Sequence, residues 1–248
     1  MSTSEQIVLE LKGLKKRFRE KTVHDGIDIQ LRKGEILSLF GGSGTGKSVA
    51  LRSIIGLEKP DGGEILFQGQ DIARLPENKL TPVRKKIAYV FQNGALFDSM
   101  SVMENLAYPL IEHTNLSDQE IQAKIAKMLS LIGMAGSENL LPASLSGGMQ
   151  KRVGLARAII LEPEIILYDE PTAGLDPQNT KNLIEIMDKL RQMGTSAIFV
   201  THDIPAALEV SDRIAVLYNK KIHVIDSVEN IKKSTDPVVK AFIEGSVH

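Results

Sequence analysis

A glycine-rich stretch that ends in a lysine and a serine is the strongest chemical pattern in the sequence. It reads Gly41, Gly42, Ser43, Gly44, Thr45, Gly46, Lys47 and Ser48. The glycines let successive backbone N–H groups turn toward one anion, and a helix that begins near Lys47 adds the positive end of its dipole. The spacing predicts a phosphate-binding loop for ATP, in which Lys47 reaches the β- and γ-phosphates and Ser48 ligates Mg²⁺.

Two neighbouring acidic residues supply a second part of such a site. Asp169 and Glu170 follow a mostly apolar run at residues 165–168, which predicts a buried strand. Because neighbouring side chains on a strand point to opposite faces of the sheet, the two carboxylates are expected to have different roles. We expect Asp169 to hold Mg²⁺ through its water shell and Glu170 to orient and polarise the water that attacks ATP.

A second glycine-containing turn precedes another predicted helix. It reads Leu145, Ser146, Gly147, Gly148, Met149 and Gln150. Ser146 suits the N-cap of that helix, and the two glycines leave the backbone open to an anion. One chain that already holds a nucleotide has no obvious need for a second anion-binding helix end.

Several motifs, in family order, resemble those of ABC-transporter ATPase subunits. The turn at residues 145–150 resembles the family's signature sequence. Gln92 matches the Q-loop glutamine, and Ala173-Gly174-Leu175-Asp176 matches the D-loop. His202 matches the switch histidine, and Phe18 matches the aromatic residue that stacks on adenine. The resemblance covers nearly the whole chain and implies a P-loop NTPase fold of the ABC-ATPase type.

The resemblance implies a head-to-tail homodimer in which the signature of one chain meets the γ-phosphate held by the other. It implies catalytic roles for Glu170, His202, Gln92 and Lys47. Besides the eight loop residues, nucleotide contacts are expected from Phe18, Ser146, Gly147, Gly148, Gln150 and Asp176. Magnesium contacts are expected from Ser48, Gln92 and Asp169. No catalytic group is missing, which disfavours a nucleotide-binding regulator without turnover.

The elements that must position these residues alternate between strands and helices. Strands are predicted at residues 7–11, 27–31, 35–40, 64–67, 87–91, 165–169, 196–200, 213–218 and 221–225. Helices are predicted at residues 47–55, 102–110, 118–132, 147–161 and 178–193, with a last short helix opened by Asp236 and Pro237. This order predicts an α/β fold with a mainly parallel sheet, an antiparallel β part and an inserted helical lobe.

The domain prediction is a single ABC ATPase domain over residues 1–248. Its catalytic core is expected at residues 1–93 and 162–248, and its helical subdomain at about residues 94–161. No internal repeat and no uninterrupted apolar run of about 18 residues occurs in the sequence. Any membrane role would therefore need a partner.

Composition narrows the class of partner. The formal net charge is −1, so no global field attracts nucleic acid, and we expect no nucleic-acid partner. The chain has no cysteine, which excludes disulfides and thiolate metal sites and fits a reducing compartment. We therefore expect a cytoplasmic protein, placed by the family resemblance on the cytoplasmic face of the inner membrane.

The segment after Gln92 is the most informative about cargo. Four sequence segments resemble those of the ATPase subunits of MCE-type lipid transporters, which include the maintenance-of-lipid-asymmetry systems. They are residues 94–97, 107–110, 112–114 and the C-terminal stretch at 236–245. This resemblance implies phospholipid transport, an integral membrane permease, an MCE-domain lipid-binding subunit and a STAS-domain regulatory subunit.

Phe97 and Leu106 are predicted to contact the permease. The helix face formed by Val102, Met103, Leu106 and Leu110 fits a plain core helix equally well.

Two alternatives of different kinds remain open at this point. One is the ATPase subunit of an importer for a small solute such as an amino acid, which the ATP site itself does not exclude. The other is a soluble ABC-type protein that acts on nucleic acid or ribosomes. Such proteins usually carry a long coiled-coil insertion or two cassettes in tandem, and this sequence has neither.

Overall fold

Two β-sheets organise the computed structural model, which describes residues 6–92 and 94–245. The strands are β1 (Ile7–Phe18), β2 (Lys21–Arg32), β3 (Ile36–Phe40), β4 (Gly62–Phe67), β5 (Gln70–Asp71), β6 (Ile87–Val90), β7 (Ile165–Asp169), β8 (Ser196–Val200), β9 (Arg213–Tyr218) and β10 (Lys221–Ser227). Every predicted strand overlaps one of them. The predicted α/β class, with a mainly parallel sheet and an antiparallel part, is confirmed.

The larger sheet has the strand order β10-β9-β3-β8-β7-β6. All its neighbours run parallel except the terminal pair of β9 and β10. Strands β3 and β8 are buried along their whole length, which is why they read as continuous apolar runs. Loops that carry chemistry therefore leave neighbouring strands at the same carboxyl edge of the sheet.

The smaller sheet is antiparallel, with the order β2-β1-β4-β5. Strands β1 and β2 have 12 residues each, whereas the predictions covered only residues 7–11 and 27–31. Charged residues such as Lys15 and Arg17 mask the pattern in β1. Register shifts in the β1–β2 pairing also interrupt the alternation on which a strand prediction depends.

Helices cover the sheets and fill the long segment between β6 and β7. They are α1 (Lys47–Ile54), α2 (Thr81–Lys86), α3 (Val102–His113), α4 (Asp118–Leu131), α5 (Gly147–Ile159), α6 (Pro177–Gln192), α7 (Ile204–Val210), α8 (Val228–Lys233) and α9 (Pro237–Ile243). Short 3₁₀ turns occupy Glu77–Lys79 and Pro142–Ser144. The unpredicted helices α2, α7 and α8 have six or seven residues each, too few to show a helical period.

The predicted helix starts follow from their capping residues. Ser117 caps α4 and forms a reciprocal capping box with Glu120, as predicted. Asp236 caps α9 through the backbone N–H groups of Val238 and Val239, and Pro237 takes the first helical position.

Helix α3 corrects one prediction. Val102, Leu106 and Leu110 are completely buried in a hydrophobic cluster that α3 shares with α4, α5 and strands of the larger sheet. The prediction that Leu106 contacts a permease is therefore wrong, and the core alternative accounts for this face of the helix. Phe97 differs from Leu106 because it is 42% exposed.

The domain limits placed at residues 1, 93 and 248 lie outside the described residues, and the division into core and helical subdomain stays a prediction. Within the described ranges, none of the helices is both long and apolar enough to cross a bilayer.

Candidate active site

The glycine-rich loop lies where β3 ends and α1 begins. Gly46 precedes the first helical residue, Lys47, with a φ of 101°, which is a left-handed conformation that glycine adopts without strain. Among the residues that the structure describes, no side chain caps this helix end. The first backbone N–H groups of α1 are therefore left without side-chain acceptors and are available to an anion.

A cavity of about 720 Å³ opens over this loop. Of the predicted site residues, those that line it are Phe18, Gly41, Gly42, Ser43, Gly44, Gly46, Lys47, Ser48, Glu170 and His202. Thr45 instead turns inward, and its hydroxyl donates to the carbonyl oxygen of Gly42 at 2.8 Å. Phe18 lies at the end of β1 and is 40% exposed, so its ring is accessible to a planar base.

Lys47 lies inside the loop. Its Nζ donates to the carbonyl oxygens of Gly41 and Gly42 at 2.8 and 3.1 Å. Burial lowers the pKa of the Lys47 ammonium, while the carboxylates of Glu170 and Asp169 oppose that change. A partly desolvated ammonium interacts more strongly with a phosphate than a hydrated one does.

Ser48 and Asp169 meet as the predicted metal site requires. The Ser48 hydroxyl donates to Oδ1 of Asp169 at 2.6 Å, and the Tyr89 hydroxyl donates to Oδ2 at 2.5 Å. Burial and the bond to Asp169 raise the pKa of Tyr89, so its hydroxyl stays protonated. The oxygen ligands fit Mg²⁺, which usually takes only one or two protein ligands beside phosphate and water.

Glu170 and His202 form a pair at the edge of the cavity. Oε2 of Glu170 lies 2.7 Å from Nδ1 of His202 and accepts the backbone N–H of His202 at 3.3 Å. Glu170 has a φ of 53°, which is unusual for a residue other than glycine and is typical of functional sites. The left-handed turn directs its carboxylate toward His202 instead of continuing β7.

The signature residues occupy the start of α5. The Ser146 hydroxyl accepts the backbone N–H of Met149 at 3.3 Å, which confirms the predicted N-cap. The side-chain amide of Gln150 donates to the carbonyl oxygens of Pro142 and Leu145 and so holds the preceding turn. Among the described residues that line the cavity, none comes from the signature. The nucleotide contacts expected of Ser146, Gly147, Gly148 and Gln150 stay predictions.

Asn179 connects the D-loop with the signature helix. Asp176 caps α6, and its carboxylate accepts from the backbone and side-chain nitrogens of Asn179 at 2.9 and 2.6 Å. Arg152 donates to the side-chain oxygen of Asn179 at 3.1 Å. A Cβ atom on Gly148 would lie 2.5 Å from that oxygen. The two motifs are therefore in contact within one chain.

Gln92 is exposed two residues after the end of β6, and it is not among the described residues that line the cavity. The loop that follows lies directly on α5. A Cβ atom on Gly154 would lie 2.5 Å from the Cα atom of Gly94. Nη2 of Arg157 donates to the carbonyl oxygen of Ala95. At Gly94 and Gly154 the backbones of the loop and the signature helix are thus in close contact.

A family model described as "ABC transporter" matches residues 24–173. The chain belongs to the ABC transporter family. This membership agrees with the motif order and makes the chain an ATPase of that family.

Two curated ABC relatives differ in their named cargo. The "Probable ribonucleotide transport ATP-binding protein mkl" of Mycobacterium leprae is 41% identical over 240 residues, which cover 96% of this chain and 69% of the relative. The "Intermembrane phospholipid transport system ATP-binding protein MlaF" of Escherichia coli strain K12 is 39% identical over 226 residues, which cover 91% of this chain and 84% of the relative.

Solved ABC cassettes share the fold. A dimeric ATP-binding cassette in a post-hydrolysis state, bound to ADP and Pi, superimposes with a TM-score of 0.81 at 31% identity, covering 89% of this chain and 98% of that cassette. A nucleotide-free cassette gives a TM-score of 0.84 at 25% identity, with 96% and 98% covered.

Sequence reasoning missed several residues of the site. Tyr89 and Asn179 carry no motif of their own, and only their contacts reveal them. Arg52 and Val23 also line the cavity. Arg52 lies in the helix after the loop, so its helical register was the one signal that could have indicated it.

Proposed function

We propose that this ABC ATPase powers a membrane transporter that moves phospholipid between the membranes of the cell envelope. The segment after Gln92 supports the proposal most strongly, because its amino-acid sequence resembles that of MCE-type lipid transporters and it presents exposed aromatic residues. The name of the relative MlaF supports a phospholipid cargo, whereas the name of mkl points to ribonucleotides. The cargo is therefore the quantity to test.

In the proposed reaction, two chains hold ATP between the phosphate loop of one and the signature of the other. Lys47 binds the β- and γ-phosphates. Ser48, Asp169 and Gln92 would hold Mg²⁺, which would supply positive charge against the phosphates when bound. Glu170 polarises the attacking water, and His202 contacts the γ-phosphate. The Glu170–His202 distance of 2.7 Å supports a shared role at the point of attack.

Glu170→Gln tests this assignment. We expect ATP binding to persist and turnover to fall by about 10²–10⁴-fold, because the amide cannot accept the proton of water. The chain should then accumulate as an ATP-held dimer, measured by sizing in ATP and Mg²⁺ beside a phosphate-release assay. Near-normal turnover would contradict the role of Glu170.

A surface suited to a permease lies beside the loop that follows Gln92. We define this docking face as Phe97, Tyr108 and Ile111, which are 42%, 46% and 67% exposed. The Phe97 and Tyr108 rings pack edge to face, with centroids 5.3 Å apart, and the Arg157 guanidinium lies 4.8 Å from the Phe97 centroid. An ordered aromatic pair offers apolar area at low entropic cost to a partner helix.

Ile111→Glu tests the docking face, and Met193→Glu is its matched control because both side chains are 67% exposed. Ile111→Glu should reduce co-purification of the permease and transport while the isolated chain still binds ATP. Met193→Glu should leave both unchanged. Equal effects of the two variants would contradict a specific docking face.

The proposed assembly has two ATPase chains, an integral membrane permease, an MCE-domain lipid-binding subunit and a STAS-domain regulatory subunit. It places this chain peripherally on the cytoplasmic face of the inner membrane. Absence of an MCE-domain protein from the native complex would contradict this composition.

The decisive experiment on cargo is purification of the tagged chain with its native membrane partners. Mass spectrometry should identify an MCE-domain subunit and bound phospholipid. Recovery of a ribonucleotide-binding or amino-acid-binding subunit without lipid would overturn the lipid proposal in favour of the second candidate, a solute transporter. The ATPase assignment would survive either result.

A further inference from the structure

His24 lies beneath the phosphate loop and belongs to none of the motifs. It is a residue of β2 with no exposed surface. Its Nε2 lies 3.1 Å from the carbonyl oxygen of Gly46, which also accepts the backbone N–H of Ala50 at 3.0 Å. Because a carbonyl oxygen can only accept, Nε2 must carry the ring proton. Burial lowers the pKa of His24, so the imidazole is neutral and holds this tautomer.

The carbonyl that His24 holds shares one rigid unit with a phosphate donor. The carbonyl of Gly46 and the N–H of Lys47 belong to the same planar peptide and point in opposite directions. Two hydrogen bonds direct the carbonyl into the protein, so the N–H of Lys47 points out of the helix start. This N–H is one of the first in α1, which lacks intrahelical acceptors at that end.

We propose that His24 is a positioning residue for nucleotide binding: its Nε2–H fixes the Gly46–Lys47 peptide so that the Lys47 N–H faces the bound phosphate. The inference depends on the ATPase activity of the family and not on the cargo. Close packing supports it, because a Cβ atom on Gly46 would lie 2.6 Å from Nε2 of His24. The neighbouring Val23 also lines the nucleotide cavity.

A histidine that only fills the core would behave differently. Its Nδ1 is buried and has no hydrogen-bond partner among the described residues. A buried unpaired nitrogen does not add stability, so the side chain is a poor choice for packing alone. A core role would link any change in nucleotide affinity to a loss of folding stability. A positioning role separates the two quantities.

The test uses two substitutions of His24 that carry the same amide group on side chains of different length. In His24→Gln the side-chain nitrogen reaches about as far as Nε2, whereas in His24→Asn it stops one methylene short of the Gly46 carbonyl. The dissociation constants of fluorescent ATP and ADP analogues with Mg²⁺ are measured, together with thermal unfolding. We expect His24→Asn and His24→Leu to weaken both nucleotides by about tenfold, and His24→Gln to stay within about twofold.

The matched control is His113→Leu, which replaces an exposed histidine at the end of α3 and should leave both affinities unchanged. If His24→Leu does not fold, the Gln and Asn variants decide the question. Equal affinities of the Gln and Asn variants would overturn the proposal. So would affinity losses that follow the loss of thermal stability across the series.

Discussion

The starts of α1 and α5 are both glycine-rich turns at helix N-termini, but the chain completes them differently. At α1 no side chain of the described part of the chain caps the helix, and the loop curls around the Lys47 ammonium. At α5 the Ser146 hydroxyl caps the helix. The first end therefore leaves its N–H groups to a ligand, whereas the second already satisfies part of its own.

The surroundings of the two helix ends also differ: the start of α1 faces a cavity, whereas the start of α5 packs against its own chain. The α1 end lies against a cavity of about 720 Å³ within its own chain. The α5 end is fastened to the D-loop region, where Lys151 donates to the carbonyl oxygen of Pro171 and Gly148 packs on Asn179. In the proposed dimer, α1 captures the nucleotide and α5 closes over it from the other chain.

Lys47→Ala should disrupt the start of α1 (the capture end) and have the largest effect on ATP hydrolysis. The substitution removes the ammonium that the proposal places on the β- and γ-phosphates, and we expect hydrolysis to fall by about a thousandfold. Affinity for a fluorescent ATP analogue should fall as well. A variant that binds ATP normally would show that the capture end does not need this lysine.

Gly148→Ala should disrupt the start of α5 (the closing end) and leave the start of α1 intact. The added methyl group lies against Asn179, and a shift of about 1 Å at the signature is expected to reduce turnover by about a hundredfold. ATP affinity of the isolated chain should be unchanged. Gly62→Ala is the control, because its Cβ would meet Lys15 at no closer than an ordinary 3.6 Å.

Mixing the two inactive variants sharpens the comparison further. A dimer of one Lys47→Ala chain and one Gly148→Ala chain contains one site with an intact phosphate loop and an intact signature. Partial recovery of phosphate release on mixing is expected. Lack of recovery, when mixed dimers form, would contradict a working site built from two chains.

Ser146→Ala should have the smallest effect of these variants, and that effect is on folding stability. Loss of the hydroxyl cap is expected to lower the free energy of unfolding by about 1 kcal/mol. Thermal or denaturant unfolding measures this change. A larger destabilisation would mean that the closing end depends on its cap more than a single hydrogen bond explains.

The sequence predicts the catalytic edge of the molecule well. The motifs are local, and the parallel strands that carry them are continuous apolar runs such as β3 and β8. The antiparallel strands were predicted too short, because lysines and register shifts interrupt their alternation. For α3 the helix was correct but its partner was not, since an apolar stripe does not reveal whether a core or a permease covers it.

Contacts that join distant residues could not be predicted in the same way. Tyr89 and Asp169 are 80 positions apart, Arg152 and Asn179 are 27 apart, and His24 and Gly46 are 22 apart. Each pair depends on the register of two separate elements, which no local pattern specifies. The roles assigned to Gln92, His202 and the signature residues remain proposals.

The backbone contact between Gly94 and Gly154 has a mechanical consequence. Side chains usually form a deformable layer between two segments and absorb small displacements by changing rotamer. Within residues 6–92 and 94–245, no such layer separates the backbones of Gly94 and Gly154. We therefore expect a displacement of the loop at Gly94 to move α5 directly, because no rotamer change can absorb it at this contact.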